Sequence, residues 1–396
     1  MPYAYRQSRS NPYARPKTQR SSSNRKFGKQ YINPARFVKP ASIVEEIAYV
    51  PTNSFSDFKM HDLILENIKT KGFVNPSPIQ DQSIPHGLEG KDILGIANTG
   101  TGKTLAFAIP MLNRLLQEPG SRALIMAPTR ELAQQIQDEC RMIAKRSGLT
   151  GALLIGGSSM GPQLQDLRHK PRIIIGTPGR IKDHMERGTL RLNDVNMVVL
   201  DEVDRMLDMG FINDMREILK ELHTERQSFF FSATMDSKVQ TLINTFSTDP
   251  IVISVKTGET SENVEQDVVT YGSSNEKIEK LHDLLNSEKI AKVLLFDDTQ
   301  RAVERLHNEL TARGFKTDAI HGGKSQGQRQ RALNKFKSNE VTILVATDVA
   351  ARGIDVKDIT HVINFSTPGS YEDYVHRIGR AGRAGRKGYA LTFIEA

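Results

Sequence analysis

Two tandem parallel-sheet α/β domains, joined by a short linker and preceded by a disordered basic tail, are the architecture this sequence predicts. Three observations carry the prediction. From about residue 55, short apolar, β-branched runs alternate with amphipathic stretches, the pattern of a parallel sheet covered by helices. The polar stretch Lys256–Asn263 interrupts that alternation once, as a linker would. At 396 residues the chain also exceeds what one hydrophobic core usually serves. The expected division is a tail over 1–40, a first domain over 41–256, a linker over 257–263 and a smaller second domain over 264–396.

Strands of the first domain are expected at Ile93–Ala97, Ala123–Ala127, Leu153–Ile155, Ile173–Gly176, Met197–Asp201, Phe229–Ser232 and Ile251–Val255. In the second they are expected at Val293–Phe296, Asp318–His321, Thr342–Ala346, His361–Phe365 and Tyr389–Phe393. No short-period repeat is present. The longest apolar runs fall far short of the roughly 20 residues that span a bilayer, so no membrane partner is expected. The single cysteine, Cys140, excludes an internal disulfide and a cysteine-based metal site; it reads as a packing residue and fits a reducing, cytoplasmic location.

Charge is unevenly placed. The net charge is +8, yet residues 1–40 carry ten basic side chains and no Asp or Glu, which leaves −2 for everything else. Affinity of the folded part for a polyanion must then come from locally placed donors rather than a global field. In the tail, Tyr3, Tyr5, Tyr13, Phe27 and Tyr31 are interleaved with the cations, which suits stacking on unpaired bases; a solvated spacer and, more weakly, a transit peptide are the other readings. If every tail charge met a phosphate, the salt slope would steepen by at most about 7 on single strands.

The run Ala97-Asn98-Thr99-Gly100-Thr101-Gly102-Lys103-Thr104 joins a strand to a helix-like stretch. That context places backbone N–H groups and a helix N-terminus around a phosphate. Lys103 would sit on the β/γ phosphates and Thr104 would offer its hydroxyl to Mg²⁺, although Ala97 stands where the first glycine of such a loop is usual. An apolar strand delivers Asp201, Glu202 and Asp204 at its carboxyl end, where buried acids need a cation. Asp201 is the expected Mg²⁺ partner, directly or through water, and Glu202 the residue that orients the attacking water. Taken alone, such a cluster is as often a helix cap. The first domain lacks an obvious arginine for the γ-phosphate; Arg380 and Arg383, three apart in H-R-I-G-R-A-G-R, could supply it from the second domain, so hydrolysis would require domain closure.

With these motifs in order, the chain resembles the DEAD-box ATP-dependent RNA helicases over residues 55 to about 395, with Asp201-Glu202-Val203-Asp204 as a DEVD variant of the acidic motif. The resemblance implies two RecA-like domains, ATP and Mg²⁺ as cofactors, and RNA bound largely without regard to sequence. Phe55 and the run ending in Gln80 are similar to the family's adenine-reading element, Gln80 bonding the base and Phe55 stacking near it. Asp355 would face the ribose. Pro128-Thr129-Arg130, Gly157 and Thr177-Pro178-Gly179-Arg180, with Thr347, Arg352 and Gly353 of the second domain, match its RNA-contacting positions; loops of this composition can bond phosphates and 2′-hydroxyls without reading bases. Ser232 and Thr234 match the motif coupling hydrolysis to strand separation, and His376 is expected to link to the acidic motif.

Two positions depart from the family pattern, Val203 in place of Ala and Ala381 in place of Thr, and both put coupling efficiency in question more than ATP binding. The chain ends at Ala396 just after its last expected strand, so no accessory domain and no closing helix are anticipated. A monomeric RNA-stimulated ATPase that unwinds short duplexes locally and remodels RNA–protein complexes is the leading reading. A DNA-translocating helicase is opposed by the Phe55/Gln80 element. An ATP-bound RNA clamp is opposed by the complete set Lys103, Asp201, Glu202, Arg380 and Arg383.

Overall fold

A computed structural model of the chain describes residues 32–41, 49–98, 100–247, 249–255, 263–287, 290–351, 356, 358–382 and 386–396. Its first sheet has seven strands: β1 (Ile93–Ile96), β2 (Ala123–Met126), β3 (Gly151–Leu154), β4 (Ile173–Gly176), β5 (Met197–Asp201), β6 (Gln227–Ser232) and β7 (Ile251–Ser254). They lie in the order β3-β4-β2-β5-β6-β1-β7 and every pairing is parallel. Helices cover both faces, so these strands read apolar throughout instead of alternating. Phe229 and Phe231 enter one core cluster with Phe107 and Ile109, while Phe230 between them enters the opposite one with Val198, Leu200 and Leu242.

The second sheet comprises β8 (Val264–Tyr271), β9 (Val293–Phe296), β10 (Thr317–Ile320), β11 (Ile343–Ala346), β12 (His361–Asn364) and β13 (Gly388–Glu395). Its order is β10-β11-β9-β12-β13-β8, again parallel. Two parallel-sheet α/β domains are thus present, as the alternation predicted.

Two features were not anticipated. β8 was missing from the expected strands because V-E-Q-D-V-V-T-Y is half polar. Among the described residues it is an edge strand with β13 as its strand neighbour, and much of it remains partly exposed. The second feature concerns residues 32–41, assigned above to the tail and the start of the first domain. Ile32 and Phe37 are buried in a core cluster of the second domain, beside Val264 and Tyr374, and Lys39 forms an antiparallel bridge to Gln266 of β8. Local chemistry allows this: Asn33 caps a single 3₁₀ turn, Pro34–Phe37, by accepting from the Ala35 amide. Residues 1–31 of the expected tail and 257–262 of the expected linker lie outside the described residues.

The sheet order decides where chemistry can occur. β6 lies between β5 and β1, with Ile96 opposite Ser232 and Asp201 opposite Phe231. Three loops, after β1, β5 and β6, therefore emerge side by side at the strands' carboxyl ends, where open α/β sheets bind ligands.

Candidate active site

The loop after β1 turns through Gly100 and Gly102, whose φ values of 86° and 91° lie in the left-handed region. Lys103 then opens the helix Lys103–Gln117, and Thr104 follows, half-buried, in its first turn. Lys103 is buried, and its Nζ donates to the Ala97 carbonyl at 3.2 Å. Gln80 is bonded directly to this loop. Its Nε2 donates to the Gly102 carbonyl at 2.9 Å, its Oε1 accepts from the Ser77 amide at 2.9 Å, and Ser77 Oγ donates to the Thr101 carbonyl at 2.7 Å. A side chain at position 102 would collide with Gln80 Nε2, so the glycine is needed for contact as well as conformation. Phe55 lies in the first domain's core, edge-on to Phe58 at 6.0 Å between ring centroids.

Asp201 ends β5 and Glu202 follows at φ +54°, a left-handed conformation uncommon for a non-glycine residue. The kink starts the helix Val203–Asp208, which returns Arg205 to the Glu202 carboxylate at 2.8 Å, both side chains 4% exposed. Burial pushes the Glu202 carboxyl up, but the charges of Arg205, Lys103 and Arg380 together hold it below its ordinary value. Asp201 is less fully compensated. Its Oδ1 is buried without a hydrogen-bond donor, the Lys103 ammonium stands 4.0 Å away, and desolvation raises its carboxyl. A buried carboxylate oxygen left without a donor fits a hard, oxygen-ligated cation such as Mg²⁺. Among the described residues no group of three or more His, Cys, Asp and Glu could hold a metal, so phosphate and water would have to complete its shell.

Asp204 ties the acidic turn to the loop after β6. Its Oδ2 accepts from the Ala233 amide, the Thr234 amide and Thr234 Oγ1 at 2.9–3.1 Å. Ser232 Oγ instead donates to the Thr234 carbonyl at 2.7 Å, closing its own turn. Val203 faces away, into the cluster with Met206, Val239 and Leu242.

From the second domain, Arg380 is 3% exposed and close enough for its charge to act on Glu202. It follows the helix Tyr371–Ile378 and shares a small cavity with His376 and Asp348. Arg377 braces this corner through a bidentate pair with Asp348, 2.5 and 2.6 Å, and further bonds to Asn364 Oδ1 and the Ser366 carbonyl. Ala381 is fully buried against Gly388, a fit that leaves little room for a larger residue. Asp355 and Arg383 lie outside the described residues.

A cleft of about 370 Å³ runs between the domains on the side of the expected RNA contacts. Pro128, Thr129, Arg130, Thr177, Gly179 and Arg180 line it from the first domain, Gly322, Arg329 and Val349 from the second. Thr129 Oγ1 caps the helix Arg130–Ile143 by accepting from the Leu132 amide, and Thr177 precedes the helix Pro178–Glu186. Gly157, at φ +71°, leaves the space that the Arg130 guanidinium occupies. Burial, with the charges of Arg329 and Arg180, lowers the Arg130 pKa, a repulsion that a polyanion in the cleft would relieve. Thr347 is buried. Arg352 and Gly353 lie outside the described residues. Across the interface Arg329 meets Glu131 at 2.8 Å, close enough for an ion pair though off the line of a hydrogen bond, both side chains under 10% exposed.

Sequence reasoning missed Arg205, the contact between Glu131 and Arg329, and Asp81, a buried carboxylate on the Gln80 helix that accepts from Tyr49, Thr52 and Asn53. A signal existed for Arg205, because residues three apart on a helix share a face. None existed for the other two, which depend on partners far away in the chain.

A strand–glycine loop–helix turn and an acidic strand end at the carboxyl edge of one parallel sheet, together with a second parallel-sheet domain, define a two-domain P-loop ATPase. Residues 77–242 match the DEAD/DEAH box helicase family and residues 276–385 the helicase conserved C-terminal domain. The DEAD-box ATP-dependent RNA helicase CshA of Bacillus subtilis is 44% identical over 345 residues, which is 87% of this chain and 70% of that protein. The chain belongs to the DEAD-box family of ATP-dependent RNA helicases. Saccharomyces cerevisiae Dbp5 bound to RNA and ADP BeF3 is similar in structure with a TM-score of 0.76 at 28% identity, over 87% of this chain and 90% of that one. A DEAD box protein from Methanococcus jannaschii, 41% identical over 87% of this chain and 94% of its own, reaches 0.51.

Proposed function

We propose that ATP and RNA jointly close the two domains, that closure assembles the hydrolytic site, and that hydrolysis releases it, separating RNA strands locally. The observation that carries this reading is that one carboxylate, Glu202, pairs with Arg205, and that Lys103 of its own domain and Arg380 of the other lie within reach of its charge. Held below its ordinary pKa, Glu202 is ionised at neutral pH and a weak base. It accepts a hydrogen bond from the attacking water and fixes its line of approach, which suits a phosphoryl transfer that asks mainly for positioning and charge neutralisation. Lys103 and Arg380 neutralise charge developing on the transferring phosphoryl oxygens, and Arg383 is proposed to assist. Thr104 and Asp201 would hold Mg²⁺, which supplies further neutralisation when bound. Gln80 and Phe55 form the adenine element and Asp355 the ribose contact.

On the RNA side, Thr129, Arg130, Thr177 and Arg180, with Thr347, Arg352 and Gly353, are proposed to grip the sugar-phosphate backbone without reading bases. Phosphate loss reaches them through Asp204 and the Ser232–Thr234 turn, with His376 relaying to the second domain. The protein is proposed to act as a cytoplasmic monomer. Glu202→Gln tests the assignment: ATP and RNA binding should persist within a few-fold while RNA-stimulated turnover falls by roughly 10² or more. Normal turnover would remove Glu202 from the mechanism. Equal stimulation of the wild-type ATPase by matched DNA would remove the preference for RNA.

A further inference from the structure

The described stretches on either side of residues 42–48 are anchored on different domains, 32–41 on the second and 49–53 on the first. At one end Phe37 is buried edge-on against Tyr374 with ring centroids 4.6 Å apart, and the Arg36 guanidinium lies 3.6 Å from the Tyr371 ring centroid. The Lys39 and Gln266 backbones exchange two hydrogen bonds, 3.0 and 2.9 Å, on the free edge of β8. At the other end Asp81, 3% exposed, accepts from Tyr49 Oη at 2.6 Å, the Thr52 amide at 2.7 Å, the Asn53 amide at 3.1 Å and Asn53 Nδ2 at 2.8 Å.

Both anchors adjoin the ATP site. Asp81 follows Gln80, which bonds the phosphate loop, on the helix Pro78–Leu88. Tyr371 and Tyr374 lie on the helix that leads into Arg380. We propose that the face formed by β8 and the helix Tyr371–Ile378 is a docking surface for the chain's own Ile32–Lys39 segment. With Ile32–Lys39 docked there and Tyr49–Asn53 held on Asp81, the covalent link between the two anchors acts as a strap that holds the Arg380 helix near the adenine element and so favours domain closure.

Chain length gives the strap its effect. Eight residue steps separate Ala41 from Tyr49, a reach of at most about 29 Å fully extended. Domains that part further must first expose Phe37 and Tyr374. A second tether beside the 256–262 connection raises the effective concentration of one domain at the other. It contributes no group to the reaction, so it acts on the concentrations of ATP and RNA needed for closure and leaves the saturated rate alone.

The test rests on the RNA-stimulated ATPase proposed above and uses the full chain. Phe37→Ser releases one anchor. An insertion of about twelve Gly/Ser residues between Glu45 and Glu46 keeps both anchors but removes the restraint. Each variant is expected to raise the half-saturating RNA and ATP concentrations by about five- to tenfold with kcat unchanged. The combined variant should be no worse than either alone, because both interrupt one device. Thermal unfolding checks that Phe37→Ser still folds, and the insertion serves as the test if it does not. A silent insertion, or effects that multiply in the combined variant, would overturn the strap. Wild-type ATPase that ignores RNA would instead refute the functional reading.

Discussion

Replacing Arg329 with Met should penalise domain closure by an amount that can be bounded in advance. In the closed arrangement Glu131 is 2% exposed, Arg329 is its ion-pair partner, and Arg130 contributes a weaker favourable charge that makes the cost below an upper bound. Stranding a buried charge usually costs about 3–5 kcal/mol. Glu131 has a cheaper route, because it can take up a proton. From an ordinary value of 4.5 that uptake costs about 3.4 kcal/mol at pH 7, at about 1.36 kcal/mol per pH unit. Protonation therefore caps the penalty near 3 kcal/mol, and the half-saturating RNA concentration for ATPase should rise by up to a few hundredfold. The sign of the pH dependence follows. Closure of the variant consumes a proton, so its defect relative to wild type should shrink about tenfold when the pH falls from 7 to 6. The Glu131→Gln/Arg329→Met double variant carries no stranded charge and should recover most of the loss. The assay is RNA-stimulated ATPase against RNA concentration at both pH values. An Arg329→Met enzyme that matches wild type, or a double variant as impaired as the single, would refute the reasoning.

Asp201→Asn should abolish turnover yet raise the melting temperature of ligand-free protein at pH 7.5. The folded state resists ionising Asp201, so wild type loses stability as pH rises from the ordinary carboxyl range through the raised folded value. Each kcal/mol regained is worth about 2–4 °C, and the gain should vanish towards pH 4; calorimetry across that range checks it. Arg380→Ala should lower kcat by about 10³ or more with nucleotide affinity changed only a few-fold, measured by single-turnover hydrolysis and nucleotide titration. Asp204→Asn removes the charged acceptor of three bonds and should destabilise the first domain by about 1.5–3 kcal/mol in denaturant titration. Deleting residues 1–31 should flatten the salt dependence of RNA binding without the closure defect expected of Phe37→Ser, since the docked segment begins at Ile32; an unchanged slope would reduce the tail to a spacer.

Much of this protein was legible as sequence because its signals are local. Parallel strands buried on both faces need continuous apolar runs, so β2, β4, β5, β6 and β9 could be located to within two residues. The phosphate loop requires glycines at left-handed positions and a lysine at a helix start, all within eight residues. β8 escaped because an edge strand need bury only part of itself, which weakens the pattern. Ile32–Lys39 escaped for a related reason: ten cations and no acids over 1–40 read as disorder, and the burial of Ile32 and Phe37 against Tyr374 and Val264 has no sequence period. By itself the sequence determined two α/β domains, a phosphate loop, an acidic strand end and an arginine-bearing segment far downstream. Only the tertiary structure decided that the Arg380 charge comes within reach of Glu202, that Arg329 meets Glu131, and that the second domain's core includes the segment before the first. Those facts depend on how two separately encoded sheets face each other, and a contact between residues hundreds apart leaves no periodicity to read.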